Sequence, residues 1–318
     1  MKQQVINVRK AGIIGCGYVG AASAFALMQS GLFAEMVLID VDQNRAEGEA
    51  MDIAHGLSFA HPMKIYAGDY DDLVDAAVII ITAGANQKPG ESRLELVHRN
   101  AAIMKNIVTE IKSRKCKGIL LIVSNPVDIM THVALEVSGF EERRVFGSGT
   151  VLDTARLRFQ LGEHLKVDNR SIHAFIIGEH GDSEIAAWSC ANVSGVPLNR
   201  FCEMRGHFEH EENTENMEER VKNSAYEIIQ KKHATYFGIA MVVKRICQAI
   251  IRDEKSIFPV SHRMHGEYGI EDVVLSMPAI VGAYGMESPI PISLDDREIA
   301  RLHDSAELLQ EIAGKIKL

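Results

Sequence analysis

Two uninterrupted apolar runs, Val78-Ile79-Ile80-Ile81 and Ile119-Leu120-Leu121-Ile122-Val123, constrain the fold most. Successive side chains of a strand point to opposite faces, so a strand with one wet face alternates apolar and polar residues. These runs do not alternate, and both of their faces must therefore be covered. They belong to a series. Short apolar segments at 11–15, 36–40, 77–82 and 119–124 are each followed by a longer amphipathic one, at 19–30, 45–57, 94–112 and 127–137. Such alternation is satisfied by a parallel sheet whose right-handed crossovers lay helices on both faces. The pattern predicts an α/β fold built on a doubly wound parallel sheet, with residues 144–146 as a sixth strand.

After Gly147-Ser148-Gly149 the rhythm changes. Helices are predicted over 150–165, 218–230, 234–251 and 295–316, with strands over 171–177, 256–262 and 272–277 that read as shorter and less regular. The polar run 209–220 reads as a solvated loop entering a helix. A length of 318 residues accommodates two lobes, a cofactor domain over 1–148 and a C-terminal α+β substrate domain over 149–318. With 47% hydrophobic residues the chain can bury a large core, and a net charge of −9 without any basic cluster speaks against a nucleic-acid partner. Glycines at 12, 15, 17 and 20 interrupt the first apolar run, which therefore reads as neither a signal peptide nor a membrane span. Five scattered cysteines without CxxC spacing point to reduced thiols in a cytoplasmic protein, and no metal site is expected.

The segment Gly15-Cys16-Gly17-Tyr18-Val19-Gly20 has the spacing GxGxxG between a predicted strand and a predicted helix. Gly15 permits the tight turn, Gly17 lets the backbone approach a pyrophosphate, and Gly20 lets the helix pack closely on the sheet with its positive end facing the phosphates. Twenty residues after Gly20, a second strand ends at Asp40, where a carboxylate can accept hydrogen bonds from both ribose hydroxyls and repel a 2′-phosphate. That combination points to a Rossmann domain binding NAD. The strand end Thr82-Ala83-Gly84 reads as a further part of the cofactor crevice.

Moving a hydride to or from a secondary alcohol carbon requires a group that exchanges the hydroxyl proton, and histidine suits neutral pH. Of 13 histidines, His180 lies in the turn Gly178-Glu179-His180-Gly181-Asp182 at the end of an apolar strand. Asp153 is the candidate carboxylate to orient it, or else a charge favoured at a helix N-terminus. Arg156, three residues on, shares a helix face with Asp153 and can clamp a carboxylate through two parallel hydrogen bonds. Asn125, before Pro126, can orient a substrate oxygen or cap the next helix. Residues 86–93 read as a hinged lid carrying Arg93, or as a simple connection.

Taken together, Gly15–Gly20, Leu38-Ile39-Asp40, Gly90-Glu91-Ser92-Arg93-Leu94, Val123-Ser124-Asn125-Pro126, 149–156 and 178–182 resemble the L-lactate/malate dehydrogenase family over nearly the whole chain. The resemblance implies that His180 exchanges the proton, Asp153 orients it, Arg156 holds the substrate carboxylate and Arg93 polarises the carbonyl. It implies cofactor contacts from Tyr18, Val19, Val123, Asn125 and Ile239. Gln87 and Thr235 match the lactate-type substrate residues, malate enzymes carrying an arginine at the former position, so pyruvate/lactate is the implied pair. Arg158 and His173 match the two cations through which bacterial members bind fructose 1,6-bisphosphate, and a homotetramer is implied with them. Val151 departs from the polar residue many lactate dehydrogenases have there; the short N-terminus fits a bacterial type.

Overall fold

A computed structural model describes residues 6–85, 90, 92–206 and 210–316. The first half runs β1 (Asn7–Ile14), α1 (Tyr18–Ser30), β2 (Glu35–Ile39), α2 (Gln43–His55), β3 (Lys64–Ala67), β4 (Ala76–Ile81), α3 (Arg93–Ser113), β5 (Ile119–Ile122), α4 (Val127–Ser138) and β6 (Val145–Gly147). Its strands lie in the order β3-β2-β1-β4-β5-β6 and all neighbours are parallel. The reason β4 and β5 show no alternation is visible in their packing. Ile79, Ile81, Leu120 and Ile122 enter one core with α3 and α4, while Val78, Ile80, Leu121 and Val123 enter another with α1 and α8 (Phe237–Arg252). Two covered faces need apolar residues at every position.

The second half runs α5 (Val151–Leu165), β7 (Ile172–His173), β8 (Ile176–Ile177), β9 (Ile185–Ala186), β10 (Asn192–Val193), β11 (Val196–Pro197), α6 (Leu198–Met204), α7 (His210–Lys232), then α8, β12 (Ser256–His265), β13 (Glu271–Gly282), β14 (Gly285–Pro289) and α9 (Asp296–Gly314). The expected α/β architecture with an appended second unit is present, and several details differ. The strands β12 and β13, at 10 and 12 residues, are the longest among the described residues rather than short ones. Proline stops a predicted strand at 277 because it has no N–H for the ladder. Here Pro278 stands opposite Pro259 and the strand continues to Gly282. Ser261 of β12 pairs antiparallel with Gly147 of β6, so one nine-stranded sheet runs through both halves, across the predicted boundary.

The expected strand over 171–177 is two separate pieces with different partners, β7 on β10 and β8 on β9. The polar run at 209–220 is helical from His210 onward, not a loop. Its acidic face hid an amphipathic stripe, for Met217 and Val221 are buried beside α5 and buried Glu218 is salt-bridged to Arg301. The helix expected from 234 begins at Phe237. All five cysteines are free thiols. No helix among the described residues is long and apolar enough to cross a membrane.

Candidate active site

The carboxyl ends of β1, β4 and β5 meet in one crevice, stitched by side chains. Gly15 has φ +100°, and a Cβ there would sit 2.6 Å from the backbone of Ala83. A Cβ on Gly20 would lie 1.8 Å from the Gly15 carbonyl oxygen, so glycine alone allows α1 to start this close to the turn. Gly17 faces open space. The first turn of α1 has no side-chain cap and no acidic residue, which leaves backbone N–H groups and the positive helix end available to phosphate oxygens. Half-buried Asp40 is held at the end of β2 by N–H groups of Cys16 at 2.6 Å and Asp42 at 3.0 Å. The Thr82 hydroxyl donates to the Gly15 carbonyl at 2.7 Å, and the Ser124 hydroxyl to the Ala83 carbonyl at 2.6 Å. These residues fit a dinucleotide: a backbone turn for the pyrophosphate and a fixed carboxylate for the ribose.

Beside this crevice, α5 presents Asp153 on its first turn, almost wholly buried. One carboxylate oxygen meets His180 Nδ1 at 2.6 Å and the other accepts from the Arg156 guanidinium at 2.8 Å. A buried carboxylate is tolerated when it is paired in this way. The loop carrying His180 is fixed from several sides. Gly178 exchanges two 2.9 Å backbone hydrogen bonds with Ser276 of β13, and the Glu179 N–H donates to the Ser305 hydroxyl of α9 at 2.8 Å. The His180 N–H donates to Asp128 of α4 at 2.7 Å, and the other Asp128 oxygen accepts from Ser261. With Nδ1 engaged, the remaining ring nitrogen, Nε2, is the one left to meet a substrate. A cleft of about 360 Å³ opens here, lined by His180, Arg156, Asn125, Glu184, Lys222 and Tyr226 among others.

The electrostatics favour an imidazolium. Burial alone would lower the His180 pKa, but the charge and hydrogen bond of Asp153, with the charges of Asp128 and Glu184, raise it to about 9. Burial pushes Asp153 the other way, and His180 and Arg156 overcome it, holding that carboxyl below its ordinary range. Asp128, desolvated completely, is pushed up to about 6. The site thus couples a protonated imidazole to a guanidinium through one carboxylate, which can bind an anion and hand its neighbour a proton.

Thus His180, Asp153, Arg156 and Asn125 come together around one cleft, and Gly15, Gly20, Asp40, Thr82, Ala83 and Val123 come together at the strand ends. Tyr18 is exposed at the start of α1 and stacks on Tyr236 with ring centroids 5.4 Å apart. Thr235 lies half-buried between α7 and α8, and Ile239 packs on the core from α8. Arg158 and exposed His173 lie away from the cleft; the Arg158 Nε donates to Ala174, next to His173, at 3.0 Å and its guanidinium lies over the Phe175 ring. Gln87 lies outside the described residues, and Arg93 opens α3 behind the Ser92–Glu95 capping box.

Three residues escaped the sequence reading. Asp128 stands inside the apolar run Val127-Asp128-Ile129-Met130, a buried acid whose signal was its surroundings. Asn100 is a lone amide on the buried face of α3; it accepts from the Ala85 N–H at 2.8 Å and donates to the Asn125 carbonyl at 3.0 Å, tying together the ends of β4 and β5. Glu184, buried in the cleft wall, follows His180 by four residues.

Comparison with known proteins points to one family. The family described as lactate/malate dehydrogenase, NAD binding domain, matches residues 9–147, and the lactate/malate dehydrogenase alpha/beta C-terminal domain matches 150–317. The chain is 50% identical to an L-lactate dehydrogenase of Acetivibrio thermocellus over 96% of both proteins. It is 49% identical to L-lactate dehydrogenase 1 of Clostridium acetobutylicum over 96% of this chain and 98% of that one. The ligand-bound crystal structure of the minor L-lactate dehydrogenase of Enterococcus mundtii superposes with a TM-score of 0.95 at 43% identity, covering 98% of this chain and 99% of that one. With both halves matched, and with a glycine turn, a fixed carboxylate at Asp40 and the His180–Asp153–Arg156 set in one place, the chain belongs to the lactate/malate dehydrogenase family of NAD-dependent oxidoreductases.

Proposed function

We propose that this protein is an L-lactate dehydrogenase, interconverting pyruvate and L-lactate with NAD as the final step of lactic fermentation in the cytoplasm. The observation that carries the reading is the single buried carboxylate of Asp153, shared between an imidazole and a guanidinium. Bound NADH supplies the hydride for reduction, and NAD accepts it in the reverse direction. Arg156 holds the substrate carboxylate, its guanidinium keeping further N–H groups beyond the one given to Asp153. His180 gives the carbonyl oxygen its proton through Nε2, and Asp153 stabilises the imidazolium before transfer. Asn125 orients the substrate oxygen and Arg93 polarises the carbonyl.

The division of labour follows the two halves, residues 1–148 for the cofactor and 149–318 for substrate and catalysis, with Gln87, Arg93 and Asn125 reaching the substrate from the first half. Gln87 and Thr235 favour pyruvate over oxaloacetate, because an amide tolerates a methyl group where an arginine would be left unpaired. The names of the relatives support the same choice. Arg158 and His173, brought to neighbouring positions outside the cleft, support a site for fructose 1,6-bisphosphate in a homotetramer.

A steady-state assay with NADH tests the reading. Pyruvate is expected to turn over faster than oxaloacetate or 2-oxoisocaproate, and faster oxaloacetate reduction would sink lactate specificity. Adding the bisphosphate is expected to lower the pyruvate concentration at half-saturation; an unchanged curve and an unchanged oligomer mass would remove the activation.

A further inference from the structure

Glu184 is a carboxyl that the chemistry above does not use. It is only 2% exposed, it lines the substrate cleft, and its Oε1 finds no hydrogen-bond partner among the described residues. A carboxylate oxygen of Glu184, one of Asp153 and a ring nitrogen of His180 all lie within 4.8 Å of one another. Two carboxylates so close repel each other, and the cations described around them are paired with acids other than Glu184. From α5, Arg156 gives one N–H to Asp153, and the His180 ring is bonded to the same group. From α7, Lys222 pairs with Glu218 at 3.4 Å, and Arg301 of α9 is salt-bridged to Glu218 as well. Among the described residues Glu184 is left without a salt-bridge partner of its own. A buried carboxyl in that position keeps its proton, since an uncompensated buried charge is costly.

We propose that Glu184 is a positioning residue held as a neutral carboxyl, and that keeping its proton is a condition for an anionic substrate to enter between His180 and Arg156. Ionised, it would place a second negative charge beside Asp153 and cancel the net positive charge of the His180–Asp153–Arg156 set, removing its attraction for the incoming carboxylate. Burial and the Asp153 charge, opposed by His180, Lys222 and Arg156, raise its pKa to about 9, so the condition is met at neutral pH and fails in alkali. Substrate binding then requires two protons in alkaline solution, one on His180 and one on Glu184. The inference rests on the proposed 2-oxo acid substrate.

The test is the proton count. For the wild type, log KM for pyruvate plotted against pH is expected to climb with a slope approaching two above about pH 9, and in Glu184→Gln with a slope of one. The KM ratio between the two proteins then grows about tenfold per pH unit. In case the variant folds poorly, calorimetric binding of oxamate, a pyruvate-shaped anion, to wild-type enzyme loaded with NADH provides a second reading. Measured in two buffers of different ionisation enthalpy above pH 9, uptake is expected to exceed one proton per site. A wild-type slope of one, or the same slope of two in both proteins, overturns the proposal while leaving the activity assigned. An enzyme that does not reduce pyruvate at all overturns the function on which it rests.

Discussion

The two ends of the cleft are built by different means. At the nucleotide end, the features that matter are backbone shapes: the turn at Gly15, the close start of α1 at Gly20, and strand ends that lie side by side in one parallel sheet. At the chemical end they are side-chain charges gathered from distant segments: Asp153 and Arg156 from α5, His180 from a loop, Asp128 from α4 and Glu184 from the cleft wall. The first fails when an atom is added. The second fails when a charge is removed, and the two kinds of damage should separate cleanly in experiment.

The largest effect is expected from His180→Ala. Losing a general acid lowers turnover by about 10²–10⁴-fold, while NADH binding, followed by its fluorescence, stays close to wild type because the crevice is untouched. Near-normal turnover would remove His180 from the mechanism. Next comes Asp153→Asn. The raised His180 pKa of about 9 depends on that carboxylate, and without it burial drives the imidazole back down. The alkaline limb of pyruvate reduction should move to lower pH by about 1–3 units, the range for removing an adjacent opposite charge, with a loss of about 5–500-fold near pH 9. The sign can be checked independently. A histidine whose pKa rises from 6.5 to about 9 on folding stabilises the native state fully below 6.5, and that contribution disappears as pH rises through about 9. Denaturant midpoints of wild type and variant should therefore differ most in acid and converge in alkali.

Third in size is Gly20→Ala at the other end. Its new Cβ would lie 1.8 Å from a backbone oxygen, which cannot swing away as a side chain can, so α1 must shift off the turn. Overpacking of this kind costs about 1–3 kcal/mol, expected here as weakened NADH binding with the alkaline limb unmoved. A variant that binds NADH normally but shifts its pH profile would break the separation between the two ends.

The same contrast explains what was legible in the chain. The uninterrupted runs at 78–81 and 119–123 announced a two-faced sheet because burial on both faces leaves no room for polar residues. The turn at Gly15–Gly20 was legible because all of its information lies within six consecutive residues. His180, Asp153 and Arg156 were legible as candidates through their local surroundings, and their meeting was not, since contact between residues 27 apart is a property of the packed fold. Helix α7 was misread in its first turns because one charged face masked Met217 and Val221. The strand expected over 256–262 ran correctly through Pro259, whereas the one expected over 272–277 stopped short at Pro278, and with it the length by which the second half extends the sheet of the first. Asn100 and Asp128 gave no signal beyond a polar letter among apolar ones, because hydrogen bonds to another segment leave no periodicity.

Asn100 gives the smallest effect and the sharpest test of how the two ends are joined. Its amide is the link between the Ala85 N–H, after β4, and the Asn125 carbonyl, after β5, so it spans the boundary between the crevice and the cleft without lying in the charged set. Asn100→Ala removes these two hydrogen bonds and a longer third one to the Ala85 carbonyl at 3.4 Å, and leaves their backbone partners in a half-buried place, a cost of about 1–2 kcal/mol from the net worth of such bonds. A lower denaturant midpoint with an unchanged slope should report it. If the link only holds the loops together, kcat and KM follow the wild type once the protein is folded. If it aligns Asn125 over the cleft, KM for pyruvate rises while the alkaline limb set by His180 stays in place, because no charge has changed. A shift of that limb would instead show that the geometry of β4 and β5 reaches the His180–Asp153 pair, and that the two ends are one mechanical unit.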